Sequence, residues 1–454
     1  MSQPPSGTPS EPSPGLHSRF RHLLQIVRRE LGWLTPGLGV KRWLLLIMAG
    51  TTLLGVGLAL FLLDLYRNAP ENDLLPLISF LSLRFLDRPL RVIFFGGLGI
   101  SMVMVGVWGF TRAFLRPFLP PGKHILDYMS DFRKRGRGPR IVAIGGGHGL
   151  SALLRGLKTY SNNITAIVTV ADDGGSSGSL RRSLGILPPG DIRNCLAALS
   201  NDETLMTQVF QYRFASGAGL EGHSLGNLFI SALAEITGSF EQAVAESARV
   251  LAINGRVLPA SLHDVRLVAD VLRPETGKRQ HITGESNITQ AHGKIQRIWL
   301  EPGNAPAFPP AIAAILSADL IIIGPGSLYT SLLPNLLVSD LAQAIRVSRA
   351  VKFFICNVST QPGETEGYTA FDHMRAIQKH VGDDLFDLLI CNSRYEGSLP
   401  DNAGWVKVDK RLLETYPCYQ TDLVDLKNPW RHDSAKLAQV VMDLYQDRTG
   451  PLAG

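Results

Sequence analysis

The chain has 454 residues and a formal net charge of +6, a length that predicts two or three folded units. The charge is uneven, because residues 1–140 contain 18 Lys and Arg against 8 Asp and Glu, whereas the remainder contains 27 against 31. Since the basic excess flanks apolar segments, it indicates lipid contact and argues against a nucleic acid partner. The cysteines lack metal-ligand spacing, which predicts reduced thiols. They are Cys195, Cys356, Cys391 and Cys418.

The N-terminal part predicts a membrane anchor. Residues 1–40 are basic and begin with a Pro- and Ser-rich stretch typical of disordered tails. Uncharged apolar runs follow at 43–63 and 92–111, and each is long enough to cross about 30 Å of hydrocarbon as a helix. They predict a transmembrane hairpin over 41–115, although two buried core helices would carry the same pattern. A basic linker at 116–139 follows.

The distribution of basic residues predicts the orientation of this hairpin. Lys and Arg are denser outside the loop at 64–91 than within it. By the positive-inside rule, both termini and the globular part are expected on the cytoplasmic side of a membrane. The expected localisation is therefore a multi-pass membrane protein, with the membrane as one partner through two helices.

From residue 140 to 447, short apolar strands alternate with helical patterns, which is typical of an α/β fold with a mostly parallel sheet and helices on both faces. Ligands of such sheets bind at the carboxyl ends of the strands, so the loops there are the first candidates for a site. The predicted strands lie at 141–144, 164–170, 320–323, 351–356 and 385–391.

The first loop follows strand 141–144 and is rich in glycine. Gly145, Gly146, Gly147 and Gly149 let the backbone approach a ligand closely, and the amides at the start of the next helix favour an anion. The spacing is neither GxGxxG nor a Walker A loop. A purely structural turn would use the same residues.

The second loop, at 171–185, follows strand 164–170. Asp172 and Asp173 are candidates for catalysis and for holding a metal ion such as Mg²⁺, and they and Ser176 could also bind sugar hydroxyls. A solvated turn with an Asp helix cap is the simpler alternative. The following helix carries Arg193 and Asn194, which are predicted to reach the same pocket.

Two further loops carry polar or glycine-rich sequences. At 221–228, His223 is a candidate general base and Asn227 a candidate ligand contact, although a lone histidine is more often a packing residue. After strand 320–323, Gly324, Gly326 and Ser327 predict a second anion site at helix amides. Two such loops suit a ligand with more than one anionic anchor, such as a nucleotide diphosphate.

Several enzyme classes lack support in the sequence. It contains no G-x-S-x-G elbow, no HExxH and no zinc-like cluster. The sequence therefore gives little support to a hydrolase or a zinc enzyme. No nucleophile or convincing general base accompanies the acidic residues. We therefore favour a non-enzymatic role while keeping a transferase as the alternative.

Taken together, five motifs resemble the YvcK-type gluconeogenesis factor family, a relative of the 2-phospho-L-lactate transferases of coenzyme F420 biosynthesis. The motifs are GGGHGLS at 145–151, VADDGGSSGSLR at 170–181, PPGDIRN at 188–194, GHSLGNL at 222–228 and GPGSLYTS at 324–331. The resemblance covers residue 140 to near the C-terminus and implies a Rossmann-like fold. It also implies UDP-sugar binding, notably UDP-N-acetylglucosamine, with roles in carbon metabolism, cell-wall synthesis and cell shape.

Three functions follow from these observations. The first is a regulatory protein that senses a nucleotide sugar and acts on unidentified protein partners. The second is a Mg²⁺-dependent phosphoryl-group transferase acting on a substrate linked to a nucleotide diphosphate. The third is a scaffold in which the anchor and a homo-oligomeric surface matter.

Overall fold

A computed structural model describes residues 87–115, 134–200, 205–273 and 277–450, with scattered positions between 49 and 63. The chain divides into two compact units, residues 1–133 and residues 134–453. The predicted N-terminal tail at 1–40, most of the run at 43–63 and most of the linker at 116–139 lie outside the described residues.

In the first unit the main described element is helix α1, Arg88–Leu115, which contains the predicted span at 92–111. Among the residues that the structure describes, no helix is long and apolar enough to cross a membrane. The predicted multi-pass membrane localisation is therefore wrong, and most of the first predicted span, 43–63, lies outside the described residues.

The second unit is built on a seven-stranded sheet in which every pair is parallel, with the order β10-β9-β8-β7-β1-β2-β3. This confirms the predicted α/β class. The strands are β1 (Ile141–Gly145), β2 (Ile164–Val168), β3 (Arg256–Pro259), β7 (Leu320–Ile323), β8 (Val351–Ile355), β9 (Leu388–Asn392) and β10 (Cys418–Thr421).

The central strands are buried along their whole length because both faces of the sheet are covered. Every residue of β1 and β7 is buried, which explains why their sequences are continuous aliphatic runs without alternation. On one face, Ile141 and Ala143 join one apolar core, and on the other Val142 and Ile144 join a second.

Thirteen α-helices and one short π-helix, Leu328–Leu332, are described from residue 147 to residue 449 of the second unit. Those named in the two cores cover opposite faces of the sheet, as the sequence predicted. The helices are α2 (Gly147–Leu157), α3 (Gly175–Leu184), α4 (Gly190–Leu199), α5 (Leu205–Gln211), α6 (Leu225–Thr237), α7 (Phe240–Val250), α8 (Glu285–Gln290), α9 (Pro309–Ser317), α10 (Leu333–Leu336), α11 (Ser339–Val347), α12 (Ala370–Val381), α13 (Lys410–Thr415) and α14 (Ser434–Thr449).

A small antiparallel sheet, absent from the sequence predictions, is inserted between β3 and α9. Its order is β5-β4-β6, and its strands are β4 (Arg266–Leu272), β5 (Arg279–Thr283) and β6 (Lys294–Glu301). Strand β5 is exposed except for Ile282. A strand with one buried side chain carries little periodic signal, and this explains why the sequence did not predict it.

The position of the site follows from the order of the strands. From β1 the chain moves to β2 and β3 on one side, whereas β7, β8, β9 and β10 extend on the other. The order therefore reverses between β1 and β7, and open α/β sheets bind ligands in the crevice at such a switch point. The two glycine loops follow these two neighbouring strands.

Candidate functional site

The glycine loops after β1 and β7 pack directly against each other. A Cβ atom on Gly149 would lie 2.7 Å from the Pro325 carbonyl oxygen and 2.9 Å from the Gly326 nitrogen. Gly147, the first residue of α2, has a φ of 63°, a conformation that strongly favours glycine. The two loops thus need small residues both for their backbone and for their mutual contact.

The loop after β7 is held by side chains from beyond β8. The Asn357 side-chain amide accepts from the Gly326 N–H at 3.2 Å and donates to the Gly326 carbonyl at 2.8 Å. Gln361 donates to the Ser327 hydroxyl at 2.7 Å. These bonds fix the loop, so its conformation does not depend on a ligand.

Arg193, on α4, is the centre of a buried polar network. Its guanidinium donates to the Asn194 side-chain oxygen at 2.8 Å, to the Asn227 side-chain oxygen at 3.2 Å and to the Ser224 hydroxyl. Burial lowers the pKa of Arg193, and the charge of Arg213 lowers it further. The structure therefore brings three predicted residues together, namely Arg193, Asn194 and Asn227.

The network continues to the loop after β2. The Asn227 amide donates to the Ser176 hydroxyl at 3.0 Å, and that hydroxyl is 3.1 Å from Nδ1 of His223. Ser224 caps α6 by accepting from the Asn227 N–H at 3.3 Å, which fixes the start of this helix. His223 is thus hydrogen-bonded within the network, and its role as a general base stays a prediction.

A cluster of carboxyl groups lies beside the first glycine loop. Asp191 accepts a hydrogen bond from the Gly147 N–H, and burial, followed by the negative charge of Asp172, raises its pKa to about 7. The Glu285 carboxyl donates to Asp172, and burial together with the charges of Asp172 and Asp191 raises the Glu285 pKa well above its usual value. The Asp191 carboxyl can therefore exchange a proton near neutral pH.

The two predicted metal-binding acids differ in their contacts. Asp173 accepts from the Ser286 N–H at 3.0 Å, and its other oxygen lies so close to Gly284 that a Cβ there would collide with it. Asp172 accepts from the Gly174 N–H at 2.8 Å. No group of three or more His, Cys, Asp or Glu among the described residues is arranged to hold a metal ion. Both carboxylates accept hydrogen bonds from backbone amides, and metal binding by either one stays a prediction.

Two residues within the sequence motifs have structural roles. Arg181 donates to the Val265 carbonyl at 2.6 Å and pairs with Asp264, so it braces the segment before the small sheet. Tyr329 is buried, and its hydroxyl is 2.9 Å from that of Tyr368. A buried tyrosine with a satisfied hydroxyl is not available to stack on a base.

Sequence reasoning missed two acids of the cluster. Asp191 lies in the motif PPGDIRN, where Gly190 before it permits close packing against Ser177 and Asp172. Glu285 lies at the start of α8, in a segment with no recognisable motif. The one neighbouring feature that could have indicated this acid is Gly284, whose φ of 101° is a backbone conformation that favours glycine.

The arrangement suits binding more clearly than covalent catalysis. The two glycine loops bring the backbone close to the crevice, and the carboxyls of Asp172, Asp191 and Glu285 offer hydrogen bonds to hydroxyls. Burial raises the pKa of the Cys195 thiol well above its usual value, so this cysteine is unsuited to act as a nucleophile.

Comparison with known proteins identifies relatives along most of the chain. The family of the 2-phospho-L-lactate transferase CofD matches residues 141–440. A Nostoc sp. protein, provisionally named a gluconeogenesis factor, is 48% identical over 448 residues, which cover 92% of this chain and 93% of that protein. The gluconeogenesis factor of Halalkalibacterium halodurans is 53% identical and covers 67% of this chain and 95% of its own length. A solved structure of a UPF0052 family protein from Bacillus halodurans has 45% identity and a TM-score of 0.63, and covers 67% of this chain and 99% of that one.

Proposed function

The chain belongs to the CofD family, together with the gluconeogenesis factors, and from this premise we propose that it is a regulatory protein that binds a UDP-sugar of the UDP-N-acetylglucosamine type. The observation that carries the proposal is the pair of glycine loops at the switch point of the sheet, beside the Arg193 network. Backbone amides and Arg193 suit a diphosphate, and the carboxyl cluster suits sugar hydroxyls.

In this proposal the ligand reports metabolic state to protein partners. Occupancy of the site by a cell-wall precursor would link carbon metabolism, cell-wall synthesis and cell shape. The prebuilt loops support a binding role, because a site that is already ordered loses little conformational entropy when its ligand arrives.

A thermal-shift titration of the full chain tests the proposal. UDP-N-acetylglucosamine, UDP, GDP and GTP are compared with and without Mg²⁺, and product formation is followed by chromatography. A ligand that binds only the native state stabilises it by about 2.7 kcal/mol at a hundredfold excess over Kd. We expect a selective shift with the UDP-sugar and no product; absence of a shift with any uridine nucleotide would refute the proposal.

The second candidate function is a Mg²⁺-dependent phosphoryl-group transferase of the 2-phospho-L-lactate transferase type. The buried carboxyl of Asp191 favours it, because its pKa of about 7 suits a group that gives and takes a proton in such chemistry. A Mg²⁺ ion bound with the substrate would neutralise charge on the diphosphate.

Two aspartate variants separate these functions. If the chain is a transferase, Asp172→Asn should lower turnover at least about a hundredfold, as loss of a general acid or base does. If it is a regulator, the same change should alter ligand affinity with no product at any protein concentration. Asp173→Asn provides the matched comparison, since its contacts predict a stability effect instead.

A further inference from the structure

A cavity of about 390 Å³ lies at the amino ends of β1, β2 and β3. This volume is within the range of about 300–1,000 Å³ that small-molecule sites occupy. The glycine loops follow the carboxyl ends of the strands, so the cavity is at the opposite end of the sheet from the candidate site. Six of the residues that line it are Arg140, Val142, Asn162, Thr165, Arg256 and Ala314.

One wall of the cavity is a row of side chains that crosses three strands. Val142 of β1 pairs with Thr165 of β2, and Thr165 pairs with Arg256 of β3. Paired residues in neighbouring strands point to the same face of a sheet, so these three side chains lie side by side. Ala314, on α9, lines the cavity and belongs to the same apolar core as Val142. The cavity therefore combines an apolar surface with a guanidinium group.

The charge of Arg256 is not compensated by a neighbouring acid. Its guanidinium donates to the Thr165 hydroxyl at 3.4 Å, and it forms no ion pair with any residue that the structure describes. Arg140, the other cation of the cavity, is paired with Asp319 at 2.6 Å. Since Arg256 is exposed on the edge strand β3, it has N–H groups free to bind an anionic group.

Asn162 is an independent indication that the cavity receives a ligand. Its side-chain oxygen is buried and accepts no hydrogen bond within the described part of the chain. The residue itself is held in place, because its backbone N–H donates to the Arg135 carbonyl at 2.9 Å. A buried acceptor without a donor is unfavourable, so a ligand that brings an O–H group to this oxygen satisfies it.

We propose that this cavity binds a small organic carboxylate that carries a hydroxyl group, with the carboxylate at Arg256 and the hydroxyl donating to Asn162. A single guanidinium matches the two oxygens of a carboxylate through parallel hydrogen bonds. The more highly charged phosphate is disfavoured, because Ala314 is in the last turn of α9 and the C-terminal end of a helix carries partial negative charge. The apolar surface of Val142 and Ala314 suits the carbon skeleton of the ligand.

The test uses the full chain with both enantiomers of malate, succinate and inorganic phosphate as separate probes. Malate and succinate differ by one hydroxyl group, so their comparison isolates the hydrogen bond to Asn162. Kd is measured by calorimetry at constant ionic strength for the unchanged protein, Arg256→Gln and Asn162→Ala. Arg249→Gln is the matched control, because the Arg249 side chain is 77% exposed and does not line the cavity. The thermal midpoint of each variant without ligand verifies that it is folded.

We expect one enantiomer of malate to bind at least about tenfold more tightly than succinate, a tenfold change being about 1.4 kcal/mol. Asn162→Ala should abolish this preference and leave the Kd of succinate constant, because only the hydroxyl group loses its acceptor. Arg256→Gln should raise the Kd of malate and succinate alike, at least about tenfold. Arg249→Gln should leave every Kd as it is in the unchanged protein.

Three results would overturn the proposal. The first is the absence of binding by both enantiomers of malate at millimolar concentration. The second is a preference for malate over succinate that persists in Asn162→Ala, which would place the hydroxyl group elsewhere. The third is tighter binding of phosphate than of malate through Arg256. None of these results bears on the proposed UDP-sugar site, because that site lies at the other end of the sheet and is tested with different ligands.

Discussion

Arg193 connects α4 to the start of α6 and to its own neighbour through one guanidinium group. Lysine could carry the same charge, but its single ammonium cannot reach several acceptors in the fixed directions of the guanidinium. The position therefore depends on the shape of the side chain as much as on its charge. The same argument covers Asn227, which accepts from Arg193 and donates to Ser176.

We predict that Arg193→Lys lowers the free energy of unfolding by roughly 2–4 kcal/mol, because buried polar groups lose hydrogen bonds to a charged donor. Chemical denaturation measures the change. Arg249→Lys is the control, since the Arg249 side chain is 77% exposed and pairs only with Glu246 on the surface; it should change stability by less than about 0.5 kcal/mol. Equal stabilities for the two variants would contradict the role given to Arg193.

Glu364 is a buried acid below the second glycine loop. It accepts from the Thr330 hydroxyl at 2.9 Å and from the Tyr329 N–H at 3.3 Å. These bonds favour the carboxylate, but burial outweighs them and raises the pKa to about 7 from a usual value of 4.5. The folded state therefore binds a proton in a pH range where the unfolded state has lost it.

The raised pKa of Glu364 determines whether the free energy of unfolding rises or falls with pH. Between pH 4.5 and about 7 the folded state holds more protons at Glu364 than the unfolded state, so stability falls as pH rises through this window, by up to about 1.4 kcal/mol per pH unit. We predict a flatter dependence for Glu364→Gln when denaturation is measured from pH 4.5 to 7.5. Parallel curves for the variant and the unchanged chain would show that Glu364 ionises normally.

At the scale of elements, the site depends on how closely two loops approach each other. The loop after β1 meets the loop after β7 at Gly149, with backbone atoms of Pro325 and Gly326 opposite. Backbone cannot rotate away as a flexible side chain can. A methyl group at this position must therefore push the two loops, and with them the ends of β1 and β7, apart.

We predict that Gly149→Ala destabilises the protein by about 1–3 kcal/mol, the usual cost of overpacking, and weakens ligand binding more than stability alone explains. Thermal denaturation with and without ligand measures both effects. Gly136→Ala is the control, because a Cβ at this exposed position has no atom within 4 Å. If Gly149→Ala has the same thermal midpoint and the same Kd for the ligand as the unchanged protein, the two loops are not in close contact.

At the scale of the whole molecule, residues 134–453 form a compact unit with both faces of the sheet covered by its own elements. A solved relative supports the independence of this unit. The Bacillus halodurans structure matches 67% of this chain, and the match covers 99% of the length of that structure.

We therefore predict that a protein of residues 134–454 folds alone, with a cooperative thermal transition and the same Kd for the UDP-sugar as the full chain. Circular dichroism and calorimetry measure these properties. A shorter protein that starts at Gly147 lacks β1, the strand between β2 and β7, and should not fold. Aggregation of the 134–454 protein alone would contradict its independence.

The sequence predicted the local features of the site well. The glycine loops follow β1 and β7 as expected, and Ser176, Arg193, Asn194 and Asn227 lie in one network. Asp173 differs, because it binds the amide of Ser286, 113 positions away in the chain. No local pattern marks such a contact, since Ser286 contributes only its backbone.

The sequence by itself predicted five strands of the large sheet and the glycine turns after them, because periodicity and glycine act over a few residues, whereas β3, β10 and the small sheet were not predicted. It also determined the family, through five short motifs in order. The tertiary structure decided the order of strands, and with it the switch point between β1 and β7. It alone brought Glu285 from beside the small sheet to Asp172, because this contact arises from the packing of elements that are distant in the chain.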